Sequence, residues 1–366
     1  MMLSLFIQEN ITVALGFTLL HSLWEGVGLA FLTGLIIVST RRSGATLRYN
    51  LLVGVLALFI IGVFFTFLYE MGQPAASSGG WAGSGAGGWM GSRVGAWIGE
   101  HAGMVTAVWL AVICLKLTKL SFDLYTLQRL KVVRVKPLEA DLLERVNSLA
   151  DGLGIGKAIR VLESGIVRAP LVIGYIRPVI LIPAGMIVRV APEDLEVILL
   201  HELAHIRRTD YLVNIFLRII SILLFFNPAV LWVSSLIRTE RENCCDDMVI
   251  RHTGNKIDYI RALLHFEEQR APSYAMAFGG GSGILPRMER LAAGYSRTLN
   301  KLELFLLSVL LVLTCFFVGL RADISVRASP AMQAAPADGS RAAPPDRSQT
   351  AAMEAKLKAE AAARHP

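Results

Sequence analysis

Val197-Ile198-Leu199-Leu200-His201-Glu202-Leu203-Ala204-His205 ends in two histidines four residues apart, with a glutamate directly after the first. On a helix, positions i and i+4 share a face, so both imidazoles can reach one zinc ion while Glu202 faces its bound water. The residues before it favour that helix. Pro192 suits a first turn whose N–H groups have no partner, Glu193 and Asp194 suit the positive end of the helix dipole, and the apolar run suits burial. A buried helix carrying two structural histidines would read the same way, so a further ligand is the discriminating feature.

Arg238-Thr239-Glu240-Arg241-Glu242-Asn243-Cys244-Cys245-Asp246-Asp247 supplies candidates. Glu242 and Asp246 are again four apart, so on a helix one carboxylate can bind metal while the other orients a ligand. Zinc-bound histidines usually donate their second ring N–H to a carboxylate or carbonyl, which makes Asp246 a natural partner for one of the two. The competing reading is an exposed charged helix paired through Arg238 and Arg241. A thiolate site using Cys244 or Cys245 is a further, weaker alternative.

Together, His201-Glu202-Leu203-Ala204-His205-Ile206-Arg207-Arg208-Thr209-Asp210 and Glu242-Asn243-Cys244-Cys245-Asp246 resemble the BlaR/MecR-type integral-membrane metallopeptidases of bacteria. The resemblance implies that His201, His205 and Glu242 are zinc ligands, that Glu202 is the general base, and that Asp246 orients a ligand from behind. It also implies a gluzincin-like α/β zinc peptidase domain, related to thermolysin, within a mainly α membrane protein. The implied substrate is a cytoplasmic protein, such as a transcriptional repressor. The best-known members carry an extracellular penicillin-binding sensor domain after the last span. Here an alanine-, proline- and arginine-rich segment follows Leu320, so direct β-lactam sensing is not expected.

Composition bears on the membrane assignment independently. Hydrophobic residues make up 54% and charged residues 18%, against about a quarter charged in ordinary soluble domains. Four apolar runs approach the roughly 20 residues needed to cross a bilayer: Ile11 to Thr40, Tyr49 to Glu70, Val105 to Phe122, and Leu302 to Leu320. The first has no basic region before it and is too long for a signal peptide. Arg41, Arg42 and Arg48 mark the first connection as cytoplasmic, whereas the glycine-rich connection from Met71 to Met104 holds only Arg93. Lys116 and Lys119 are read as snorkelling at the inner end of the third span, and Arg287 and Arg290 as positive charges before the fourth. The expected localisation is the bacterial inner membrane, with the zinc site on the cytoplasmic side.

The chain then divides into three transmembrane helices with a glycine-rich extracytoplasmic loop (1–122), a cytoplasmic membrane-associated zinc peptidase domain (123–301), a fourth span (302–320) and a disordered extracytoplasmic tail (321–366). Within the second part, Leu138 to Ala150 has helical spacing, while Ala158 to Leu162 and Leu171 to Ile182 read as strands. Val172 to Pro183, with Pro178 and Pro183, is the candidate sheet edge along which a peptide substrate could be held. Gly152, Gly154 and Gly156 do not form a phosphate loop, because no strand precedes them and no helix follows.

The apolar stretch Tyr211 to Ile237 should not cross the membrane, since crossing would separate Glu242 from the histidines. A hairpin turning near Asn227-Pro228 keeps them together, either dipping into the bilayer or buried in protein. Tyr259, His252 and His265 are candidate oxyanion donors. The net charge of +7 is explained by positive-inside residues facing anionic lipid, without direct nucleic-acid binding. The cysteines indicate no disulfide framework. Two functional classes remain: an active zinc endopeptidase relaying a signal, and a non-catalytic receptor or scaffold with a structural zinc site. An intact Glu202 favours the first.

Overall fold

The computed structural model describes residues 2–72, 88–174, 177–269 and 284–294, together with 299, 303, 304 and 308. Three long helices come first: α1 (Met2–Ser39), α2 (Ala45–Met71) and α3 (Gly88–Leu130). Within them, Asn10–Ser39, Ala45–Met71 and Glu100–Leu130 are long and apolar enough to cross a membrane. Leu58, Ile61, Phe64 and Phe65 stand exposed along α2, a surface suited to lipid rather than water. These helices correspond to the first three expected spans. The fourth, 302–320, falls outside the described residues apart from three positions, as does the whole of 321–366.

Two details of the span reading change. The third helix does not end near Phe122 but continues to Leu130, because Asp123 to Leu130 contains no glycine or proline to stop it. Lys116 consequently lies well inside the helix, its Nζ 5.5 Å from the centre of the Phe225 ring. Arg48, counted among the loop cations, is 1% exposed. Its guanidinium donates to Glu240 Oε1 (3.0 Å), Thr40 Oγ1 (3.2 Å) and the Ile37 carbonyl (3.0 Å).

A four-stranded sheet follows, in the order β1-β2-β4-β3. Its strands are β1 (Val135–Pro137), β2 (Arg160–Ser164), β3 (Leu171–Ile173) and β4 (Val179–Pro183). β4 runs parallel to β2 and antiparallel to β3. The single strand expected over 171–182 is thus two, because Gly174 adopts φ +99°, a conformation open to glycine but not to most residues. β4 is central rather than an edge, and its Val-Ile-Leu-Ile run is fully buried, as expected where both faces are covered. β3 is the edge strand on this side. Tyr175 and Ile176 of the candidate edge lie outside the described residues.

Helix α4 (Ala140–Gly152) packs on this sheet, close to the expected helix, and α5 (Ala184–Arg189) leads from β4 into α6 (Pro192–Arg207). Leu199 and Leu203 of α6, both 0% exposed, join Val146, Ile180 and Ile182 in the principal core. Burying a side chain of this size contributes about 1.5–3 kcal/mol, which holds the helix carrying His201 and His205 against the sheet.

α7 (Asp210–Leu223) and α8 (Pro228–Thr253) form the expected hairpin. Asn227 caps α8, its Oδ1 accepting from the Ala229 and Val230 amides, and Pro228 occupies the first helical position. The Asn227 side chain also donates to the Ser22 carbonyl of α1 at 2.7 Å. A Cβ on Gly26 would come within 2.9 Å of Asn227, so the close approach of the turn to α1 requires glycine there. Trp109 of α3 donates to the Leu223 carbonyl. Ser22 precedes the end of α1 at Ser39 by 17 residues, about 26 Å at 1.5 Å per residue. The hairpin therefore runs alongside the three long helices and returns, with Leu52, Leu56 and Phe59 of α2 packed against Leu217, Val230 and Val233. α9 (Lys256–Gln269) and α10 (Ile284–Ala293) complete the described elements.

Candidate metal centre

His201 and His205 project from the same face of α6, their rings edge to face with centroids 4.9 Å apart. Glu242, delivered by α8, brings Oε2 to 3.4 Å from His201 Nε2 and 3.6 Å from His205 Nε2. Zinc–nitrogen and zinc–oxygen bonds of about 2.0–2.2 Å at tetrahedral angles separate ligand atoms by roughly 3.3–3.6 Å. The three side chains accordingly fit a metal ion, and their donor atoms all lie within 4.8 Å of one another. The other Glu242 oxygen accepts from Arg241 at 2.7 Å, so the arginine pairing read as a competing explanation coexists with the convergence on the histidines.

Each histidine is also held from behind. His205 Nδ1 lies 2.8 Å from Asp210 Oδ2. Asp210 reaches it because Thr209 adopts φ +57°, which ends α6 abruptly and starts α7 beneath the ring. A β-branched residue seldom adopts that conformation. His201 Nδ1 lies 3.2 Å from the Tyr259 hydroxyl, which donates to Asp246 Oδ1 at 2.6 Å. Direct approach of Asp246 to His201 is longer, 3.5 Å, so the carboxylate acts mainly through Tyr259. Asp246, 0% exposed, is itself neutralised by Arg287 of α10. Arg290 of the same helix grips both oxygens of Asp247.

The electrostatics follow this geometry. Burial pushes the Glu242 carboxyl up, but hydrogen bonds from His201 and His205 and their charge outweigh it and hold it well below the usual carboxylate range. Burial opposes charge on His205, and hydrogen bonds to Asp210, Cys245 and Glu242 raise it well above the ordinary histidine value nonetheless. Glu202 has its carboxyl raised, chiefly by burial, which suits a group that takes and returns a proton near neutral pH.

His205, Asp210 and Cys245 form a second cluster of metal-capable groups. The 2.8 Å between His205 Nδ1 and Asp210 is a hydrogen bond, shorter than the separation of two ligands on one tetrahedral zinc. Burial pushes the Cys245 thiol up to about 11, disfavouring the thiolate that would bind metal. This weakens the thiolate alternative for Cys245.

Of the oxyanion candidates, Tyr259 is 0% exposed and lies on the Nδ1 side of His201, away from the Nε2 that faces Glu242. Its hydroxyl is committed to Asp246, so it holds a ring rather than facing a substrate. His265 pairs with Asp194 on the surface, and His252 lies beside Gly152. Neither joins His201, His205 and Glu242. Asp210 follows His205 by five residues, a spacing that does not by itself mark it as the partner of that ring. Arg287, read as a membrane-flanking charge, proves to be the partner of Asp246.

Residues 93–281 match the family model described as BlaR1 peptidase M56. Among curated proteins, the chain is 27% identical over 175 residues to the Regulatory protein BlaR1 of Bacillus licheniformis, covering 47% of this chain and 29% of that protein. It is 24% identical over 162 residues to the Methicillin resistance mecR1 proteins of Staphylococcus aureus and Staphylococcus epidermidis, covering 43% of this chain and 27% of theirs. The chain thus spans under a third of the length of the curated relatives it matches. The match includes the helices that carry His201, His205 and Glu242 and extends over half of the sequence, and on that basis the chain belongs to the BlaR1 peptidase M56 family of membrane metallopeptidases.

Proposed function

We propose that this chain is a zinc endopeptidase that cleaves a protein at the cytoplasmic face of the bacterial inner membrane and so relays a signal across it. His201, His205 and Glu242 hold the metal, Glu202 is the general base, and Asp210 and the Asp246–Tyr259 pair orient the ligands. The observation that carries this reading is the convergence of both Nε2 atoms on one Glu242 oxygen while both Nδ1 atoms are engaged from behind. Gluzincin-like architecture is supported by the order of parts: a mixed sheet, a helix with both histidines, and a later helix with the glutamate. Arg41 and Arg42 between α1 and α2, and the guanidinium of Arg208, just past α6, 4.7 Å from the ring of Tyr49 near the start of α2, support the cytoplasmic assignment. The hairpin of α7 and α8 is read as re-entrant, since its turn meets α1 and α3 far from that face. The expected division into spans (1–122 and 302–320), peptidase domain (123–301) and tail (321–366) is kept.

A zinc ion held there would polarise the scissile carbonyl and acidify a bound water. Glu202 accepts the proton of the attacking water, and its raised pKa lets it return that proton to the leaving amine. Glu242 contributes negative charge and position, and Asp210 keeps His205 in the tautomer that presents Nε2. The substrate lies as an added strand along the edge strand β3, which adjoins α6. The name "regulatory protein" of the Bacillus relative supports a signalling substrate such as a transcriptional repressor, with membrane lipid as the other partner.

Membranes containing the wild type or Glu202→Gln, each with a candidate repressor, provide the test. Cleavage should fall by about 10²–10⁴-fold in the variant, with zinc content unchanged. Purified wild type without zinc would overturn the reading outright, and equal cleavage by a variant that still holds zinc would leave a scaffold with a structural site.

A further inference from the structure

A second group of ionisable side chains lies where the far end of α2 meets the middle of α1, away from the metal centre. Glu70 is 22 residues beyond Arg48 on α2, about 33 Å along the helix axis. It faces His21, and Glu25, one turn further along α1, lines the same cavity. Ionisable residues inside spanning segments are costly and usually functional. Here they line an open cavity of about 390 Å³, together with Trp24, Phe65, Thr66 and Tyr69.

The hydrogen-bonding of this group is incomplete. Trp24 Nε1, which can only donate, donates a hydrogen bond to His21 Nδ1 at 3.0 Å. A neutral His21 therefore carries its own proton on Nε2, which faces Glu70 Oε1 at a long 3.4 Å. Glu25 Oε1 accepts from Thr66 at 2.6 Å. Glu70 Oε2 is buried with no hydrogen-bond partner among the described residues, although the Glu70 side chain is only 3% exposed. A carboxylate oxygen buried without a partner is unfavourable unless something supplies a donor.

We propose that this cavity binds an ammonium group, carried either by a phospholipid headgroup or by a free amine. Glu25 and Glu70 supply compensating charge, Glu70 Oε2 is an unmet acceptor, and an ammonium supplies the donors that the group lacks. Trp24, Phe65 and Tyr69 supply aromatic faces, which attract cations. A metal ion fits less well, because His21, Glu25 and Glu70 are not among the groups whose donor atoms converge within 4.8 Å. Ser22 and Gly26, each one residue further along α1, hold the turn of the α7–α8 hairpin. Occupancy of the cavity therefore bears on the segment of α1 against which α8 is anchored.

The full chain in phosphatidylglycerol nanodiscs, titrated with ethanolamine and followed by tryptophan fluorescence and calorimetry, tests the free-amine source. The lipid source is tested by native mass spectrometry after reconstitution in equal phosphatidylethanolamine and phosphatidylglycerol. Saturable ethanolamine binding, weakened at least tenfold in Glu70→Gln, supports a free amine. Preferential retention of phosphatidylethanolamine, lost in the same variant, supports a headgroup. Should Glu70→Gln fail to fold, as judged by zinc content and monodispersity, Glu25→Gln serves instead, since its amide oxygen can still accept from Thr66. Absence of both kinds of binding in the wild type, or binding unchanged by the substitution that folds, overturns the proposal. Both readouts are independent of peptidase activity.

Discussion

Two clusters in this molecule pair histidine with glutamate, one near each end of the α7–α8 hairpin, and they are built differently. At the one on α6 and α8, both ring nitrogens of His201 and of His205 face a polar partner, and Glu242 is gripped on both oxygens. At the one on α1 and α2, a buried Glu70 oxygen is left without a partner among the described residues, beside a cavity of about 390 Å³. The first arrangement suits a small ion of fixed geometry, which rewards rigid ligands with supported backs. The second has space and unmet charge, as suits a larger guest that brings its own donors. Similar residues thus acquire different roles from how completely their surroundings satisfy them.

The sharpest way to break this contrast is to remove a proposed ligand. Glu242→Ala should weaken zinc binding by more than the roughly 10–100-fold typical of losing an outer partner, measured by chelator competition. Glu70→Gln should leave it unchanged. Equal losses in the two variants would mean that the clusters are not separate.

A second prediction concerns the strut between α2 and the half of α8 that carries Glu242. Arg48 and Glu240 are almost completely buried and joined at 3.0 Å, and Asn243 donates to the other Glu240 oxygen. Arg48→Met alone leaves Glu240 uncompensated and should destabilise the protein by about 3–5 kcal/mol, whereas Arg48→Met with Glu240→Met should recover most of that. Thermal unfolding in detergent of both single variants and the double variant measures the difference. An additive double variant would refute the pairing.

Smaller effects separate the supports themselves. Asp210→Asn should weaken zinc binding about 10–100-fold while leaving the fold intact, since the amide can still accept from His205. An unchanged zinc affinity would deny Asp210 its orienting role. Asn227→Ala removes the α8 cap and the bond to Ser22, and should cost about 1–2 kcal/mol with little change in zinc affinity, as read by hydrogen exchange across α7 and the start of α8.

Much of this was legible locally. Two histidines at i and i+4 must share a helix face, and α6 begins with Pro192, Glu193 and Asp194 as its sequence implies. The Asn227-Pro228 turn could be read because a side-chain cap followed by proline announces a helix start. The split of residues 171–182 into β3 and β4 was not legible, since one apolar run suits one strand or two equally well and the φ of Gly174 decides. Arg48 was misread for a related reason: a cation near an apolar run looks like a membrane flank until its buried partner, 192 positions away, is known.

By itself, the sequence determined the apolar lengths that make α1 to α3 long enough to cross a membrane, the helix bearing His201, Glu202 and His205, and the pairing of Glu242 with Asp246 on one face. These depend on spacing within a few turns, which backbone geometry imposes. Only the tertiary structure decided that Glu242 meets both Nε2 atoms, that Asp210 and Tyr259 stand behind the rings, and that Arg287 neutralises Asp246. It also decided that Glu70 faces His21 across two helices with one oxygen unmet. Those are contacts between segments distant in the chain, chosen by packing and by satisfying buried charge, and no local period encodes them.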